Sequence, residues 1–232
     1  MIKAARTIGV ALSLLLVPAA TLTVAPATAA TAQRNWSRTF SVTPDGGFRM
    51  GNPNAKIAIV EYGSLVCSHC RDFAQSSMKP LSAKYIRTGK ASYEFRPLIL
   101  SGLDAAATLV ARCSGPARFF PIADELFATQ PTWTARISED EFEKLIRLPQ
   151  AEMLLAFARM SGVTRVGAAH GIATAKAESC VKNAAAAENL VKMVKVANDR
   201  GIRGTPTFLV NGKRVNAHDW ASLEPFLKPS GS

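Results

Sequence analysis

Two cysteines three positions apart, Cys67 and Cys70, enclose Ser68 and His69. Thiols at that spacing can close a small disulfide and reopen it, although a CxxC is also half of many zinc sites. The apolar run 57–62 precedes the pair and a helix-like stretch follows it, so the cysteines fall at a helix N-terminus. The first N–H groups of a helix lack intrahelical partners and can receive a thiolate. The macrodipole contributes about 0.3–1 kcal/mol there, whereas one pH unit of pKa displacement requires about 1.4 kcal/mol. Specific hydrogen bonds, with His69, must therefore supply most of any strong acidity. Cys67, the first of the pair, is the expected exposed nucleophile, and Cys70, one turn inside, its shielded partner. Glu61 interrupts the apolar run six residues earlier. Buried in a strand, it would have a raised pKa and exchange protons with Cys70 near neutrality. On an edge strand it would face water.

A second pair of residues completes the candidate site. Thr205-Pro206 opens another β-branched run. Proline is allowed at a strand start, and a cis bond there would present the preceding backbone to an extended substrate chain as an added strand.

The elements that must hold these groups follow from the pattern. Residues 56–62 read as a buried strand, 67 onward as a helix kinked at Pro80, and 92–96 as a second strand. From Asp104, expected as a helix cap, the chain is alanine-rich and strand-free to 184, with helical stretches near 117–129, 139–147, 150–160 and 164–182. A helix near 185–200 leads to a hairpin about Asn211-Gly212 and a closing helix 219–227. Segments 51–103 and 185–228 therefore form one α/β domain with helices on both faces of a sheet, and 104–184 is a helical insertion. Residues 31–50, polar and carrying Pro44 and Gly46-Gly47, read as a flexible lead-in.

Residues 1–30 read as a cleaved signal peptide. Lys3 and Arg6 precede the apolar run 8–17, and Ala25-Pro26-Ala27 and Ala27-Thr28-Ala29 fit small-residue cleavage sites. The run is broken by Pro18 and falls short of the roughly 20 residues of a membrane span. The chain of 232 residues carries 28 Lys and Arg against 17 Asp and Glu. Its basic residues are scattered, without aromatic interleaving, which argues against nucleic-acid binding. Export favours disulfides, and of the four cysteines Cys113 and Cys180 are left for each other.

The pattern VEYGSLVCSHCRDF, a helical insertion, then GTPTFLVNGKRV resembles the DsbA-like exported thiol:disulfide oxidoreductases of bacteria. The resemblance covers roughly 48–228. It implies a thioredoxin fold with an inserted all-helical domain, with Cys67 as nucleophile and Cys70 as buried partner. It gives His69 the role of thiolate stabiliser, Glu61 that of buried acid, and Pro206 that of a cis-proline preceded by Thr205. It also implies a periplasmic monomer that needs no cofactor or metal, oxidises reduced exported proteins and is reset by a membrane redox partner. Two departures bear on oxidising strength: Ser68-His69 where the best-known oxidases carry Pro-His, and Thr205 where they carry valine. Cys113 and Cys180 read as a structural disulfide closing the helical block, with a second redox pair or a four-cysteine zinc site as rival readings. A reductase or isomerase kept reduced by a membrane electron donor is the alternative direction, and a non-catalytic chaperone or metal carrier the alternative class.

Overall fold

A computed structural model of the chain describes residues 34–228 together with Met1, Ile2 and Ala4. Apart from those three residues, the expected signal segment 1–30 lies outside the described residues.

Among the described residues six strands form one sheet: β1 (Phe40–Val42), β2 (Phe48–Gly51), β3 (Ile57–Gly63), β4 (Ala91–Pro97), β5 (Thr207–Val210) and β6 (Lys213–Val215). Their order is β1-β2-β4-β3-β5-β6. β3 and β4 are parallel and the other neighbours antiparallel. A parallel pair requires a crossover, supplied by helix α1 (Ser68–Leu81) and a π-helical turn, Ser82–Ile86, that follows Pro80. Because β3 is flanked on both edges, its sequence is almost uninterrupted apolar residues, and Glu61 within it is only 1% exposed.

The expectation of a flexible lead-in over 31–50 is wrong for its described part. Residues 36–38 form a 3-10 turn, and β1 and β2 add two strands to the sheet through Phe40↔Met50 and Phe48↔Phe95. Pro44-Asp45-Gly46-Gly47, which reads as a linker, is the turn between them, closed by Gly46 N–H to Thr43 O and Thr43 N–H to Gly47 O, both 2.9 Å. Phe48 and Met50 are buried, which gives this hairpin its hold on the core. The sheet-bearing chain thus starts before residue 51.

Between β4 and β5 the chain is helical: α2 (Gly102–Arg112), α3 (Pro116–Ala128), α4 (Gln130–Thr134), α5 (Glu139–Leu145), α6 (Gln150–Ser161), α7 (Val163–Ala169), α8 (Thr174–Val181) and α9 (Ala184–Asp199). α2 runs through the middle of this block, and its Ala106, Ala107 and Ala111 are fully buried, small enough for neighbouring helices to pack closely. The single helix expected over 164–182 is two. Gly171, at φ +77°, closes α7, and Ala173 is extended before α8. The Cys113–Cys180 disulfide ties the end of α2 to α8.

α9 covers the back of the sheet with Leu190 and Ala197, while Val191, expected on the same face, is exposed. Asn211 and Gly212 both have positive φ, as a two-residue type I′ hairpin demands. Asp219 caps α10 (Trp220–Leu223), which continues as a 3-10 turn to Leu227 and packs against α1. On the α1 side of the sheet, Phe73 packs on Phe208 with ring centroids 4.5 Å apart. The fold is a thioredoxin fold with an inserted helical domain.

Candidate active site

Cys67 is the N-cap residue of α1 and uses no side-chain cap, so the first N–H groups of the helix remain open toward its sulfur. Its Sγ lies 3.4 Å from the backbone oxygen of Thr205, and the Thr205–Pro206 bond is cis. Cys70, one turn on, is fully buried, and no disulfide joins the two. The structure thus brings Cys67, Cys70, Thr205 and Pro206 together from two segments more than 130 residues apart.

The two thiols have opposite electrostatics. The Cys70 thiol, hydrogen bonding to the Cys67 sulfur, does most to hold Cys67 down to about 5; partial burial opposes this, and the Thr205 side chain and the N–H groups of Cys70 and His69 assist. Burial, the hydrogen bond to Cys67 and the nearby Glu61 carboxyl all push Cys70 up. The pair therefore offers one sulfur as a thiolate at neutral pH and holds the other as a thiol. His69 contributes through its backbone N–H; its ring is exposed and makes no hydrogen bond among the described residues.

Glu61 lies beneath the pair. Burial raises it to about 8, against the hydrogen bond from Tyr93 and the nearby Cys70 thiol, which favour the carboxylate. Tyr93 donates its hydroxyl to Oε2 at 2.5 Å, while Oε1 is buried without a hydrogen-bond partner among the described residues.

Three supporting residues carried no sequence signal for this site. Asp104, expected as a helix cap, is instead at the third position of α2, whose cap is Ser101. Its carboxylate accepts from Ser64 Oγ (2.7 Å), Leu65 N–H (3.1 Å) and Leu100 N–H (2.9 Å), pinning the loop that enters Cys67. Burial raises it to about 6, against those hydrogen bonds. Gln130, buried at the start of α4, donates from Nε2 to Leu65 O (2.8 Å) and Cys67 O (3.0 Å), so the helical domain grips the same loop. Tyr93 reads as an ordinary strand residue, although a buried tyrosine hydroxyl usually calls for a partner.

Cys113 and Cys180, bonded to each other, are unavailable as zinc ligands beside Cys67 and Cys70. Among the described residues no group of three His, Cys, Asp or Glu side chains could hold a metal, and no helix is long and apolar enough to cross a membrane. A groove of about 320 Å³ opens beside the cis bond, lined by Pro206, Thr207, Arg214, Val215, Asn216 and Ala217.

A family model described as thioredoxin matches residues 43–229. A protein from Rickettsia bellii named "Putative protein-disulfide oxidoreductase" is 27% identical over 80% of this chain and 66% of its own length. A namesake from Rickettsia felis is 28% identical over 80% and 60%. The chain thus spans less than two thirds of these curated relatives. Among solved structures, the protein-disulfide isomerase of Novosphingobium aromaticivorans is 29% identical with TM-score 0.72, covering 76% of this chain and 93% of that one. The alpha-DsbA1 of Wolbachia pipientis, at 21% identity and TM-score 0.61, covers 80% and 90% and shares the fold.

Proposed function

The chain belongs to the thioredoxin family, and we propose that it is an exported thiol:disulfide oxidoreductase that donates the Cys67–Cys70 disulfide to reduced exported proteins. The observation that carries this reading is the unequal thiol pair set against Thr205: an acidic, half-buried Cys67 over a buried, proton-holding Cys70.

In the oxidised form a substrate thiolate attacks Cys67 Sγ. A substrate–Cys67 bond forms, the Cys67–Cys70 bond breaks, and Cys70 leaves with the electron pair and takes a proton from Glu61. A second substrate thiol, deprotonated, attacks the substrate sulfur of the mixed disulfide, and Cys67 departs as thiolate. The substrate loses two electrons and the dithiol gains them. A low-pKa leaving thiol is expelled faster, and a stabilised thiolate favours the reduced form, which makes the disulfide an oxidant. During the exchange the substrate chain lies against Thr205, whose backbone borders the reacting sulfur.

The leader-like sequence 1–30 and the Cys113–Cys180 bond support export to an oxidising compartment, the periplasm. Recycling is assigned to a membrane redox partner, and the protein acts as a monomer. A reductase or isomerase direction is the second reading, favoured by the likeness to the Novosphingobium protein, a protein-disulfide isomerase by name.

Oxidation of a reduced, unfolded client by the full chain tests the proposal. Cys67→Ala abolishes client oxidation; activity retained by that variant rules the exchange mechanism out.

A further inference from the structure

Tyr93 and Glu61 form a buried pair directly under the dithiol. The Tyr93 hydroxyl donates to Glu61 Oε2 at 2.5 Å, and both side chains are at most 4% exposed. Glu61 Oε1 is equally buried and carries no hydrogen bond among the described residues. Tyr93 faces Glu61 from β4, Cys67 and Cys70 face it from the head of α1, and its β5 neighbour Phe208 is apolar. Tyr93 also feels the charge of Asp124, on α3. No lysine, arginine or histidine pairs with Glu61 or Tyr93 among the described residues. The negative charge of Glu61 is thus supported by hydrogen bonding alone in a low-dielectric pocket, where such a bond is strong. Burial and the neighbouring carboxylate push the Tyr93 hydroxyl well above its usual range, so it stays a donor at every working pH.

We infer that Tyr93 is a positioning residue for the buried thiol: by occupying Oε2 it leaves Oε1 as the atom that exchanges a proton with Cys70, and it sets the pH at which Cys70 can attack. The inference rests on the exchange mechanism proposed for the dithiol. With Cys67 held in a mixed disulfide, the Cys70 thiol gives its proton to Glu61 Oε1. The Cys70 sulfur then bonds to the Cys67 sulfur, the Cys67–substrate bond breaks, and the substrate leaves as a thiolate. In the oxidising direction the same proton returns from Glu61 to Cys70.

The test uses the full-length reduced protein, with the Glu61 carboxyl carbon followed by NMR between pH 5 and 10 and the Cys70 step followed by stopped flow against an oxidised peptide. Tyr93→Phe keeps the ring and removes the donor. Loss of a hydrogen bond to a charged group raises the Glu61 midpoint by about one to two pH units. The Cys70 step at pH 7 then slows about tenfold or more, because less Glu61 is ionised to accept the proton, while the Cys67 thiolate absorbance stays put. A ring-fluorinated tyrosine placed at 93 is a stronger donor; it moves the midpoint down, and it carries the test should Tyr93→Phe not fold. Unmoved midpoints in these variants overturn the inference and leave Tyr93 a packing residue. A pH profile of the Cys70 step unchanged by Glu61→Gln overturns it at its base, by removing the proton role of Glu61.

Discussion

Removing the Cys70 thiol separates two explanations of the acidity of Cys67. The sulfur titrates at about 5 rather than 9.0, with the Cys70 hydrogen bond as the largest cause. The helix macrodipole contributes at most about 1 kcal/mol, less than one pH unit. A hydrogen bond to a charged group contributes about 1.5–3 kcal/mol, or about one to two pH units. Cys70→Ala therefore moves Cys67 upward to roughly 6–7. Cys70→Ser keeps a donor at the same place and leaves the sulfur near its original value. Thiolate absorbance near 240 nm, read against pH, reports Cys67 alone in both variants, because Cys113 and Cys180 are bonded. The sign is fixed: a donor to the thiolate favours the ionised form, so its loss raises the midpoint. If Cys70→Ala titrates where the wild type does, the open helix end makes Cys67 acidic and the buried thiol does not.

Three further outcomes are expected. Gln130→Leu leaves the Leu65 carbonyl unpaired and lowers stability by about 1–3 kcal/mol in urea unfolding; a loss under about 0.5 kcal/mol, the scatter of neutral surface changes, contradicts the grip of α4 on this loop. Cys113→Ala with Cys180→Ala opens a loop of 67 residues and costs at most about 4 kcal/mol by chain entropy, with client oxidation by Cys67 unchanged; lost oxidation in a folded variant makes the second pair a redox partner. Asp104, raised in the folded state to about 6 from 3.8, is most favourable to folding when protonated. Wild-type stability relative to Asp104→Asn thus falls by about 2 kcal/mol as the pH rises from 4 to 7, and a flat difference means that the three donors to Asp104 fully offset its burial.

Local chemistry was legible in the sequence, and distant support was not. Cys67, Cys70 and Thr205-Pro206 announce themselves through spacing and strand context, and Glu61 through its interruption of an apolar run. Asn211-Gly212 did the same for its hairpin, since both residues tolerate positive φ. β1 and β2, at three and four residues, are too short for period-two alternation to register, and the Gly-rich turn between them has the composition of a linker. Asp104 and Gln130 act through loop atoms far away in sequence, so nothing local distinguishes Asp104 from an ordinary first-turn acid. The break at Gly171 was hidden because an alanine-rich stretch favours helix on both sides of one glycine.

The most direct test of the central claim is the reduction potential of the Cys67–Cys70 pair, measured by equilibration of the full chain with glutathione. A thiolate held at about 5 beside a buried thiol predicts a disulfide markedly more oxidising than thioredoxin at about −270 mV. A potential at or below about −270 mV contradicts the oxidase assignment and turns the flow of electrons the other way.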